Sequence, residues 1–213
     1  MASVKVKICG VTNYDDALLA ANLGADFIGL NFYKESPRKV SLKNAKDIVS
    51  KMPPFVSLVG VFVDEPLENL VKTVKKVPLK FIQLHGAETP EYCAKAAELT
   101  GVPVIKAFRV MDEKSIEAIP LYIESAGYFL LDACVPGEPG GTGQTFNWDI
   151  ALKVKDMGKP VFLAGGLTPE NVAEAIVKVL PFAVDVASGV ERLERRKDYD
   201  KLNKFIRASR GLK

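Results

Sequence analysis

A thiol, an imidazole and a carboxylate each stand where a short apolar run gives way to a loop. Cys9 ends "VKVKIC", His85 ends "LKFIQLH" and Asp132 interrupts "GYFLLDA". These are side-chain types that carry protons in general acid–base chemistry. Each also has a plainer reading. Free cysteine often serves as a small buried hydrophobe, and Cys9 fits that description as well as that of a site thiol. His85, the only histidine of the chain, is read as lining a site rather than as the proton carrier. The apolar neighbours of Asp132 disfavour its charged form, which is expected to raise its pKa and suit it to a general acid. Cys93, inside the helical pattern "PEYCAKAAEL", is filler, and Cys134 is an incidental loop thiol. Cys9, His85 and Cys134 lack the close pairing of a metal site, so no metal is expected.

A second group of residues points to an anion. "LAGGLTPENV" sets Gly165 and Gly166 between a strand and a helix start, and "VDVASGVE" sets Ser188 and Gly189 after the last strand. Unpaired backbone N–H groups at helix starts favour phosphate. A glycine pair alone is usually a tight turn, but the two motifs in this order favour a phosphate site. Arg38, in "ESPRKVS", is an exposed cation by default. At a site rim its guanidinium suits a carboxylate or phosphate, and Arg109 is a weaker candidate for the same task. The long loop "DACVPGEPGGTGQTFNW" is either a flexible surface segment or a lid.

These residues need elements to bring them together. The chain has 213 residues, 48% of them hydrophobic, which suits one compact domain over residues 1–213. Twenty-nine basic and 26 acidic residues give a formal net charge of +3. That balance favours neither a nucleic-acid nor a membrane partner. The mixed-sign cluster "ERLERRKDYDK" reads as a solvated helix face. The absence of a long apolar span or a secretory leader, and an odd set of three cysteines, make the cytoplasm the expected location.

Eight short β-rich runs alternate with helical patterns at a period of about 25 residues. Thr89-Pro90 and Thr168-Pro169 mark helix starts, as does Asn147, and Asp64 reads as a cap before the third helix. The strands are largely apolar on both faces, as parallel strands covered by helices are. The pattern predicts an α/β fold, a (β/α)8 TIM barrel. The rival open sheet would carry G-x-G-x-x-G after its first strand, where this chain has "CGVTN". In a βα barrel the site lies at the C-terminal ends of the strands. That rule gathers Cys9, Asn31, Arg38, His85, Arg109, Asp132, the glycine pairs and Asp185 at one rim. His85 and Asp185 are expected to touch the substrate.

The set "KICGVTNYDDA", "FVSLVGVFV", "IQLHG", "LLDA", "GGTGQTFNW", "AGGLTPENV" and "PFAVDVASGVE" resembles phosphoribosylanthranilate isomerase of tryptophan biosynthesis, in order, from the first strand to the last helix. The resemblance implies an Amadori rearrangement of N-(5-phosphoribosyl)anthranilate to 1-(2-carboxyphenylamino)-1-deoxyribulose 5-phosphate. It implies Cys9 as general base, Asp132 as general acid and Arg38 as the anchor of the anthranilate end. It puts the phosphate on Gly165, Gly166, Ser188 and Gly189, with Gly143 of the "GGTGQTFNW" loop beside them. A phosphosugar substrate, no cofactor and a monomer or homodimer are expected. Other phosphosugar barrels, such as ribulose-phosphate epimerase-like or indoleglycerol-phosphate-synthase-like enzymes, and a non-catalytic phosphometabolite-binding barrel are the rival readings. The pairing of Cys9 with Asp132 argues against all of them.

Overall fold

A computed structural model describes residues 4–133 and 147–212. Eight parallel strands close into a barrel in chain order. They are β1 (Lys5–Ile8), β2 (Phe27–Asn31), β3 (Ser57–Phe62), β4 (Phe81–Leu84), β5 (Val104–Val110), β6 (Tyr128–Ala133), β7 (Val161–Leu163) and β8 (Ala183–Val186). The helices α1 (Tyr14–Leu23), α2 (Leu42–Lys51), α3 (Leu67–Lys76), α4 (Pro90–Thr100), α5 (Trp148–Lys155), α6 (Val172–Val179) and α7 (Tyr199–Ser209) lie between and after the strands. The expected (β/α)8 barrel is the fold.

Local chemistry sets many element ends. Thr89 accepts a hydrogen bond from the Tyr92 N–H with Pro90 in the first turn, and Asn147 caps the Asp149 N–H. Four local expectations are corrected. The β5–β6 connection holds two 3₁₀ turns, Glu113–Ile116 and Ile119–Tyr122, in place of an α-helix. Pro120, which lacks an N–H, breaks up a segment too short to recover from it. Helix α6 begins at Val172, because Thr168 and Pro169 form a turn in which the Asn171 side chain accepts from the Thr168 N–H. Asp64 does not cap α3; its carboxylate accepts from the Ala87 N–H across to the next loop. The charge cluster is no helix face. Glu191–Leu193 (β9) and Arg196–Lys197 (β10) form an antiparallel hairpin in which Glu191 and Lys197 are buried.

The two-residue period of a strand sends alternate side chains to opposite faces. On β1, Val6 and Ile8 face the helices, and Lys7 and the following Cys9 face the barrel axis. The same parity aligns Phe81, Gln83 and His85 along β4, and Tyr128, Leu130 and Asp132 along β6. The floor of the barrel is aromatic. Phe27, Phe81, Tyr128, Phe162 and Phe182 pack mainly edge-to-face or tilted, with Phe27 and Phe162 centroids 5.3 Å apart.

Above that floor sits a buried ion pair. Lys7 on β1 lies in register with Asp185 on β8. Its ammonium donates to both carboxylate oxygens, at 2.9 and 3.0 Å, and is fully buried. Burial alone would lower the Lys7 pKa, but Asp185, with a smaller contribution from Cys9, outweighs it and holds the value above the ordinary lysine range. The first and last strands are thus joined by charge as well as by the backbone ladder. Lys7→Met leaves a carboxylate unpaired inside the barrel and is expected to cost ~3–5 kcal/mol of unfolding free energy. The double substitution Lys7→Met with Asp185→Leu removes both charges and is expected to recover most of that loss. Urea unfolding checks the difference between the two proteins; equal loss in both would contradict a paired-charge role.

Candidate active site

The C-terminal rim of the barrel opens into one cleft lined by Cys9, Arg38, His85, Asp132 and Asp185, with Gly165, Gly166, Ser188 and Gly189 along one edge. Those side chains come from five different strands and the loops that follow them. Arg109 is not among them. It lines a neighbouring hollow with Tyr33, Asp64, Phe108 and Tyr122, and only His85 borders both spaces. Cys134 and Gly143, with the expected lid, lie outside the described residues. Among the described residues no group of three His, Cys, Asp or Glu side chains gathers to hold a metal ion.

Cys9 forms one wall. Its N–H donates to the Val186 carbonyl at 2.8 Å, which ties it to β8. Its sulfur lies over Gly29 of β2, so closely that a methyl group there would come within 2.7 Å of Sγ. Glycine at 29 is therefore what leaves room for the thiol. Burial pushes the Cys9 thiol up, and nearby Lys7 pulls it partly back. Cys93, by contrast, is packed inside α4 and pushed up to about 11 by burial, in keeping with its reading as filler.

Asp132, on β6, and His85, after β4, line the same cleft. The Asp132 carboxylate is not enclosed in hydrocarbon as its neighbours in sequence imply. It stands at the strand end with 26% of its side chain exposed, 3.3 Å from His85 Nε2. The ring's other nitrogen, Nδ1, is 2.9 Å from the Gln83 side-chain nitrogen. Gln83 was not legible as a site residue, though its position two before His85 on one strand carried the signal.

Arg38 is positioned by a residue that its own segment gives no hint of. Its guanidinium is held by Glu191 through contacts of 2.9, 3.2 and 2.8 Å. The Lys197 ammonium reaches the same carboxylate at 3.2 Å. Burial would raise the Glu191 pKa, but Arg38 and Lys197 more than offset it and keep the group below the usual carboxylate value. The hairpin thus carries a fixed anion that holds Arg38 at the cleft mouth. Asp185 also faces the cleft, with its oxygens engaged by Lys7.

The glycine loop has the geometry of an anion cradle. Gly165 and Gly166 adopt φ of +82° and +64°, and a side chain on Gly165 would collide with the Ala133 backbone. Neither backbone N–H has a partner among the described residues. Asn171 pins the loop by donating to the Gly166 carbonyl at 2.9 Å. Oriented N–H groups of this kind bind phosphate well.

The chain matches the family described as N-(5'-phosphoribosyl)anthranilate (PRA) isomerase over residues 6–208. It is 48% identical over 208 residues to N-(5'-phosphoribosyl)anthranilate isomerase of Geobacter metallireducens, covering 98% of this chain and 100% of that one. Its fold superposes on a crystal structure of phosphoribosyl anthranilate isomerase from Thermotoga maritima with a TM-score of 0.92 and 44% identity, over 98% and 100% of the two chains. A crystal structure of phosphoribosyl anthranilate isomerase in complex with reduced 1-(o-carboxyphenylamino)-1-deoxyribulose 5-phosphate matches with a TM-score of 0.88 and 42% identity, over 98% and 100%.

The environment of Cys9 makes a pH prediction. A raised pKa means less thiolate at neutral pH than a free cysteine has. Alkylation of Cys9 by iodoacetamide is therefore expected to keep accelerating above the ordinary thiol value of 9.0. Peptide mapping by mass spectrometry across pH 6–11 gives the midpoint, and a plateau below that value would contradict the burial argument.

Proposed function

The chain belongs to the N-(5'-phosphoribosyl)anthranilate isomerase family, and on that premise we propose that Cys9 and Asp132 are the two proton-transfer groups of its reaction. The enzyme catalyses the Amadori rearrangement of N-(5'-phosphoribosyl)anthranilate to 1-(2-carboxyphenylamino)-1-deoxyribulose 5-phosphate in tryptophan biosynthesis. The observation that carries the assignment is that a thiol at the end of β1 and a carboxyl on β6, three strands away around the closed barrel, line a single cleft at its C-terminal rim.

The chemistry follows from that arrangement. Asp132 in its acid form gives a proton to the ribose ring oxygen. The C1–O bond breaks, the ring opens, and the nitrogen lone pair forms a protonated Schiff base with C1. Its positive charge makes the proton on C2 acidic and favours the neighbouring sulfur as thiolate. Cys9 takes that proton, leaving an enolamine. Ketonisation moves the hydroxyl proton off C2 and adds one at C1. Exchange with solvent returns Cys9 and Asp132 to their starting states, so the sum is an isomerisation.

In this reading the phosphate rests on the N–H groups of Gly165, Gly166 and Gly189 and on Ser188, with Gly143 contributing from its loop. Arg38, held by Glu191, takes the anthranilate carboxylate. The complex of a 42% identical relative with reduced 1-(o-carboxyphenylamino)-1-deoxyribulose 5-phosphate supports a substrate of this class. Fixing both ends of the sugar sets the reacting atoms between the two walls. We place the enzyme in the cytoplasm, in line with Cys9 and Cys93 being free thiols.

Cys9→Ala and Asp132→Asn are each expected to lower kcat by roughly 10²–10⁴-fold, the scale of one positioned proton transfer, with KM little changed. The decay of anthranilate-type fluorescence on turnover measures both constants. Near-normal kcat in either folded variant overturns its role. Arg38→Ala is expected to raise KM by about tenfold or more, the size of a lost charge-assisted contact, while kcat falls much less. The same assay separates the two, and an unchanged KM would remove Arg38 from substrate binding.

A further inference from the structure

Gln83 is a buried polar side chain that the reaction as described does not use. It lies on β4 facing the barrel axis and is 1% exposed. Its amide nitrogen is 2.9 Å from His85 Nδ1, and His85 Nε2 is 3.3 Å from Asp132 Oδ2. Its own carbonyl oxygen, Oε1, is buried and has no hydrogen-bond partner among the described residues. A buried acceptor without a partner calls for a physical reason.

The two ends of the chain require the same arrangement. A neutral imidazole carries one proton and one lone pair. Once Asp132 has given up its proton, a lone pair on Nε2 would face a carboxylate oxygen and repel it, so the tautomer that suits the product side of the step carries the proton on Nε2. Nδ1 is then an acceptor and needs a donor, which among the described residues only the amide nitrogen of Gln83 supplies. Turning the amide over would give Oε1 to Nδ1 and force the opposite tautomer. Gln83 therefore serves the ring at the expense of its own oxygen.

We propose that Gln83 is a positioning residue that fixes His85 in the Nε2–H tautomer and so directs the proton of Asp132 to the oxygen away from the ring. With Nε2–H facing Oδ2, the acid form of Asp132 carries its proton on Oδ1. That proton goes to the ribose ring oxygen, and the carboxylate left behind stays beside the Nε2–H. His85 holds the donor in place without exchanging a proton itself. The link to catalysis rests on Asp132 being the acid, while the tautomer does not.

Because His85 is the only histidine, long-range ¹H–¹⁵N correlation spectra of the untagged, ¹⁵N-labelled protein report its ring nitrogens without further assignment. At a pH where the ring is neutral, Nε2 is expected to carry the proton and Nδ1 to be bare. Gln83→Glu, whose carboxylate only accepts, is expected to put a proton on Nδ1. Gln83→Met, which leaves Nδ1 without a donor, is expected to give a mixture of tautomers. Both variants are expected to lower kcat by about tenfold or more, within the range of a positioned proton donor, with KM within about twofold. A wild-type spectrum with the proton on Nδ1, or one that Gln83→Glu leaves unchanged, overturns the proposal whatever Asp132 does. A shifted tautomer with unchanged kcat overturns the link from Gln83 to the acid. Circular dichroism matching wild type shows that the variants are folded, and if Gln83→Glu fails to fold, Gln83→Met decides. Near-normal turnover by Asp132→Asn, alongside the expected spectra, would instead count against Asp132 as the acid.

Discussion

Two charges inside the barrel constrain everything above them. Lys7 and Asp185 face each other across the seam where the first strand meets the last. Neither could stay ionised among the aromatic rings below without the other, because a lone buried charge is far too costly. Their pairing sets a polar layer between a hydrocarbon floor and the open rim. Cys9 sits one inward step beyond Lys7, and the ammonium limits how far burial can raise the thiol. The depth of the site, and the electrostatic setting of its sulfur, both follow from this pair.

The cleft is built from walls of different chemistry. The sulfur side packs closely against β2, with Gly29 making the space that the thiol occupies. The carboxyl side is open to solvent, with His85 standing between Asp132 and Gln83. Backbone N–H groups and Arg38 then form the ends of the cleft, each stiffened by a side chain outside it, Asn171 for the loop and Glu191 for the guanidinium.

Much of this was legible before any coordinates. The alternation of apolar runs and helical stripes implied the barrel, and the rule that barrel sites lie at the C-terminal strand ends led to Cys9, Arg38, His85, Asp132, Asp185 and both glycine pairs, all of which line the cleft. Arg109 followed the same rule and failed it, because its strand delivers it to the neighbouring hollow. The charge cluster was misread for a related reason. Mixed signs on a strand and on a helix look alike, and Leu193 and Tyr199, both exposed, mark no buried period, so the hairpin and its buried Glu191 were hidden.

What the amino-acid sequence determined by itself was everything encoded locally: strand parity, capping at Thr89 and Asn147, the glycines of the loop after β7, and the residue types that can carry protons. The tertiary structure alone decided which of these meet. The Lys7–Asp185 pair spans 178 residues and Arg38–Glu191 spans 153, and no local pattern specifies partners so far apart. Closing the barrel turns the register of its first and last strands into contact, and the charge pairing and the setting of the thiol both depend on that closure.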